Sequence, residues 1–189
     1  MELAFRCLVG CVAVQGGMVP EIRLPPKRVE QLGYSMLPLP DPGWRVLRRT
    51  PTLLAIGKAG RQEDETLAIQ AGTYNVRAES EPALMRHAEA DVAQRFRVIE
   101  SSSAPDERAS CTRRHLVTED RAPGRRSGSK QPMILEAMML TCVHPGDAEL
   151  GIAIMYSQRY DTGNRDPGFD AKAAEVLREL RFTAVRDAR

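Results

Sequence analysis

The turn His144-Pro145-Gly146-Asp147 does more than any other stretch to limit how this chain can fold. Pro and Gly side by side end any regular element. Two stretches of β-type composition flank the turn, Met133–Val143 and Gly151–Arg159. Strands joined by so short a connection pair antiparallel, because a parallel neighbour needs a crossover of about a dozen residues or more. Another β-like stretch, Glu107–Val117, precedes them. Further upstream, Thr52–Lys58 and Glu65–Tyr74 read as strands around a polar hairpin loop, Ala59–Asp64.

Two segments carry helical rather than β periodicity. Ser80 is a suitable N-cap for a helix through Phe96, in which Leu84, Ala88, Val92 and Phe96 recur every fourth residue. A second helix is predicted with Asp166 as cap and Pro167 in its first turn, burying Phe169, Ala173, Val176, Leu177 and Leu180. Arg181–Val185 adds a short closing strand. The expected class is therefore α+β, an antiparallel sheet of about five to seven strands with two main helices packed on it. A chain of 189 residues suits one domain of this kind. It is placed at residues 43–189, and residues 12–42, interrupted by Gly16-Gly17, Pro20, Pro25-Pro26, Pro38, Pro40 and Pro42, read as a tether. Within that stretch Gly33–Leu39 is more apolar and is expected to pack on the domain.

Gly43-Trp44-Arg45-Val46 before the first hairpin, and Ala174-Glu175-Val176-Leu177-Arg178-Glu179-Leu180-Arg181-Phe182 near the end, resemble the PsbP family of extrinsic photosystem proteins and their bacterial relatives. The resemblance covers about residues 43–185 and implies a PsbP-like fold; no functional residue is carried over. Near the start, Leu8-Val9-Gly10-Cys11 resembles the lipobox of bacterial lipoproteins. That resemblance implies a diacylglycerol on the Cys11 sulfur and makes residues 1–11 a truncated or atypical lipoprotein signal. The apolar run before Cys11 is shorter than the roughly 7–15 residues of a secretory signal. Three readings follow: a start further upstream, an ordinary signal peptide with Cys7–Met18 as its apolar core, or a cytosolic domain starting near Met18. No later run approaches the roughly 20 apolar residues of a spanning helix.

If Cys7 is removed and Cys11 is lipidated, two of the four cysteines remain, Cys111 and Cys142. A pair in an exported domain reads as a disulfide. Antiparallel pairing that sets Cys111 opposite Cys142 also sets Val117 opposite Glu136, within disulfide reach. The same pairing brings His115 and His144 near the two sulfurs, the raw material of a zinc site or of a Cys142 nucleophile with a histidine base. His87, the third histidine, lies one position off the apolar stripe of the first helix. Asp161, Asn164, Asp166 and Asp170 are oxygen ligands near a turn, but without the spacing of an EF-hand. Neither a metal nor a cofactor is expected.

With 27 basic against 25 acidic residues the chain lacks the strongly basic character of nucleic-acid binders, and no nucleic-acid partner is expected. Arg121, Arg125, Arg126 and Lys130 form one local basic stretch, broken by Pro123, Gly124 and Gly128, suited to contact with an anionic surface. These features together predict a non-enzymatic, lipid-anchored module of the bacterial cell envelope, facing the periplasm or exterior. Its partners would be the membrane, another envelope protein or anionic lipid. The opposing reading is a small Cys/His-dependent hydrolase or metal-binding enzyme.

Overall fold

The computed structural model describes residues 21–62, 65–76, 96–121 and 132–185. Strands β1 (Val29–Gln31) and β2 (Tyr34–Met36) form a short hairpin, followed by β3 (Arg45–Arg49), β4 (Leu53–Ala59) and β5 (Thr66–Asn75). Then come β6 (Phe96–Pro105), β7 (Cys111–Asp120), β8 (Met133–His144) and β9 (Asp147–Asp161). Helix α1 (Phe169–Arg178) and a two-residue strand β10 (Arg181–Phe182) end the described chain. Seven strands make one antiparallel sheet in the order β3-β4-β5-β9-β8-β7-β6, and β1-β2-β10 make a second, three-stranded sheet.

The two longest strands, β8 and β9, leave the predicted turn as direct neighbours and carry the centre of the sheet. Alternate side chains point to one face. On that face Leu54 and Ile56 of β4, Ile69 and Ala71 of β5, Ile152, Ile154 and Tyr156 of β9, and Leu140 and Cys142 of β8 join one core. Helix α1 covers it with Phe169, Ala173, Val176 and Leu177, all almost fully buried. At about 1.5–3 kcal/mol per large apolar side chain, this interface alone outweighs the intrinsic weakness of a ten-residue helix.

The β1–β2 hairpin turns at Gly33, whose φ of +74° favours glycine, and it places Tyr34, Met36 and Leu39 in the core. The Tyr34 hydroxyl, buried, donates to the Ala71 carbonyl at 2.9 Å. Residues 29–42, assigned from sequence to the tether, thus contribute two strands and core side chains. Gly151 faces Tyr74 across the β5–β9 pair, and a Cβ there would meet the phenol ring at 2.1 Å.

The expected two-helix, PsbP-like α+β arrangement is corrected by this architecture. Among the described residues the fold is mostly β, with ten strands in two sheets and a single helix. Phe96, read as the last stripe residue of a helix, instead opens β6; residues 80–95 of that helix lie outside the described residues. Strand β6 escapes a pattern reading because every residue after Phe96 is exposed, so no alternation marks it. Helix α1 begins at Phe169 with Gly168 at the N-cap position and no side-chain cap. Asp166 instead accepts from the Gly168 amide at 2.9 Å and pairs with Lys172 at 2.5 Å.

Candidate functional site: a carboxylate buried in the sheet

Strand register assembles a polar cluster around one buried carboxylate. Cys111 lies opposite Cys142, Val117 opposite Glu136, and Ile134 opposite Tyr160. Counting by twos along each strand puts His115, Glu136 and Tyr160 on the α1 face. Arg165, in the connection from β9 to α1, completes the set from above.

Glu136 is 2% exposed, and four hydrogen bonds meet its two oxygens. Arg165 donates through Nε to Oε2 at 2.8 Å and through Nη2 to Oε1 at 2.9 Å, a two-pronged match of guanidinium to carboxylate. The Tyr160 hydroxyl donates to Oε2 at 3.0 Å, and His115 Nε2 lies 2.8 Å from Oε1. An ionised carboxylate only accepts, so His115 carries its proton on Nε2. Its Nδ1 looks the other way, 3.8 Å from the exposed carboxylate of Glu100. Arg165 also bonds Asp170 in the first turn of α1 at 2.8 Å and lies 5.0 Å over the Phe169 ring.

Burial pushes the Glu136 carboxyl up, but hydrogen bonds from Arg165, His115 and Tyr160 outweigh it and hold the group below its ordinary range. Burial, aided by the Glu136 charge and hydrogen bond, drives the Tyr160 hydroxyl well above its ordinary value, so it stays a donor. The hydrogen bonds that Arg165 donates to Glu136 and Asp170 raise its guanidinium above the ordinary range. The cluster therefore holds fixed charges that lock the α1 lead-in to three strands. A carboxylate that orients an imidazole is also half of a general-base arrangement. The other half, a nucleophile, is not supplied by the cysteines.

Cys111 and Cys142 are joined in a disulfide with their Cα atoms 4.1 Å apart, both buried in the core cluster. His144 serves the turn: its Nδ1 accepts from the Gly146 amide at 3.1 Å, so Nε2 is protonated and donates to the Thr183 carbonyl at 3.0 Å. Its ring meets Phe182 edge-on, tying the β8–β9 turn to β10. Of the four oxygen-ligand candidates, Asp166 is engaged by Lys172 and Asp170 by Arg165. Among the described residues no group of three His, Cys, Asp or Glu side chains is placed to hold a metal ion. Arg121 lies exposed just past the end of β7, while Arg125, Arg126, Lys130, Cys11 and His87 lie outside the described residues.

A second buried acid was missed altogether. Asp106, its side chain fully buried, accepts from the Arg108 amide and Nε and from Arg113 Nη2 at 2.6 Å. Arg108 reaches on to the Leu177 carbonyl at 3.0 Å, closing the C-terminal end of α1. Burial raises the Asp106 carboxyl, and hydrogen bonds from Arg108 and Arg113 bring it below the ordinary range. Pro105-Asp106, just before the strand candidate Glu107–Val117, was the available signal, an acid able to bond the backbone two residues on. No protein-family model matches this chain, and no curated protein matches it in sequence.

Proposed function

We propose that this chain is an exported, lipid-anchored module of the bacterial cell envelope, and that it binds rather than catalyses. The observation that carries the reading is the Cys111–Cys142 disulfide inside the core. Such bonds persist in oxidising compartments and are rare where glutathione and thioredoxin keep thiols reduced. Cys11, in a lipobox-like sequence, is the attachment point, and the membrane is the first partner. Another envelope protein, or anionic lipid met by Arg121, Arg125, Arg126 and Lys130, is the second.

The binding side of the proposal rests on how the reactive residue types are spent. Cys142 is bonded to Cys111, His115 is held by Glu136, and both ring nitrogens of His144 are engaged by backbone groups. A hydrolase built on Cys142 would need a free thiolate beside its base. Expression of the protein from its own locus tests the anchor. Cys11→Ser should abolish both membrane fractionation and lipid labelling while the folded domain persists in the soluble exported fraction. Equal membrane association of wild type and variant would overturn the proposal.

A further inference from the structure

The two edges of the seven-stranded sheet are built differently. Strand β3 is five residues long, carries Arg45, Arg48 and Arg49, and is broken by a bulge between Val46 and Arg48. Short length, cationic side chains and bulges are the usual means of keeping a sheet edge from pairing. Strand β6 is ten residues long, and every residue after Phe96 is exposed, including Val98 at 46% and Ile99 at 54%. Its bulge falls early, between Val98 and Glu100, which leaves Glu100–Ala104 as a regular strand with three consecutive serines at its centre. No described strand lies beyond it in the sheet. Along Glu100–Ala104 every second backbone donor and acceptor thus faces away from β7, where another strand can add.

We propose that a second copy of this chain adds antiparallel along β6, about a two-fold axis at Ser102. The charges on the α1 face select this occupant. In that register Ser102 meets its own copy, and Ala104 lies opposite Glu100 of the second copy. Ala104 also lies opposite Arg113 of β7. The row therefore runs Arg113, Ala104, then Glu100 of the other chain, with a residue too small to intervene. Adjacent strands lie about 4.7–4.9 Å apart, so a long Arg and a Glu reaching toward each other close two strand spacings. Arg113 keeps its Nη2 on the buried Asp106 at 2.6 Å, but its side chain is still 43% exposed and can be met from outside, while the Glu100 side chain, 64% exposed, can turn toward it. The two-fold axis makes this pairing twice, and no like charges stand directly opposite along Glu100–Ala104.

A two-strand seam of this length buries far less than the roughly 1,200 Å² of a stable interface, so the dimer is weak and concentration-dependent. Sedimentation velocity on the full, unreduced chain with its free thiols alkylated should show a dimer growing between about 10 µM and 1 mM, the range of a weak association. Ser102→Lys and Ser102→Glu each set like charges at the axis and should weaken it about fivefold. An equimolar mixture of the two variants should regain the dimer, because Lys then faces Glu. In wild type, hydrogen exchange at Glu100–Ala104 should slow as concentration rises, which needs no variant. A monomer throughout, a dimer indifferent to both substitutions, no recovery in the mixture, or unprotected β6 amides would each overturn the proposal. Protection of those amides by an added unrelated strand peptide, with no self-association, would assign the edge to a different partner.

Discussion

Glu136 is a single charge within a strand of otherwise apolar and small residues, and its setting depends on partners 21, 24 and 29 residues away in sequence. Nothing local to Met133–His144 signals that those partners exist; register and the β9–α1 connection bring them. Replacing it tests whether the cluster is structural. Glu136→Gln keeps the shape and one acceptor oxygen, but it removes the charge and sets an NH2 donor against the donors of Arg165 and either Tyr160 or His115. Breaking a buried pair costs about 3–5 kcal/mol, and because the Arg165 side chain is 37% exposed the expected loss is nearer 2–3 kcal/mol. The pH dependence has a definite sign. The folded carboxyl is held below its ordinary value of 4.5, so its stabilisation is present above that pH and disappears as the pH falls through the folded value. Urea unfolding of wild type and variant should therefore differ most near neutrality and converge in acid. A difference that stays constant from neutral pH into acid would show that the Glu136 charge is not what holds the cluster.

Elements were legible in the sequence to the extent that burial imposed a pattern on them. The turn at Pro145-Gly146 and the strands beside it follow from composition, and the Cys111–Cys142 register follows from counting outward from the two cysteines. Helix α1 was readable from Phe169, Ala173, Val176 and Leu177, since one buried face repeats at helical spacing. Strand β6 lacks such a face, and β1 and β2 are short strands in a Pro-rich stretch, so neither declared itself. The candidate site was half legible: Val117 opposite Glu136 follows from the cysteines, but Tyr160 and Arg165 do not. The disulfide offers the test at this scale. It joins neighbouring strands across a separation of 31 residues. Closing a loop of that size removes about 3–4 kcal/mol of chain entropy from the unfolded state in the simplest treatment. Cys111→Ala/Cys142→Ala should lower the urea midpoint accordingly, and reductant should bring wild type down to meet the variant. A midpoint unmoved by either treatment would mean that the backbone ladder of β7 and β8 holds these strands unaided.

For the whole molecule, the net charge of +2 says little, because the charges are segregated. Many of the acids that matter to the fold are buried and matched: Glu136 by Arg165, Asp106 by Arg108 and Arg113, and Asp120 by Arg159 at 2.8 Å. The sequence between β7 and β8 adds four basic residues, Arg121, Arg125, Arg126 and Lys130. A lipid tether of the kind proposed would hold such a connection near headgroups without needing a shaped pocket. Attraction of this kind is Coulombic, and exposed charges are screened over about 8–10 Å at physiological salt. If the proposed function holds, the chain produced without residues 1–11 should therefore bind vesicles containing anionic lipid weakly, lose that binding steeply as salt rises, and ignore neutral vesicles. Replacing the four basic residues together by Gln should remove the binding and leave the unfolding midpoint unchanged. Binding that is tight and indifferent to salt would instead require a fixed complementary site, and the charged connection would not be its source.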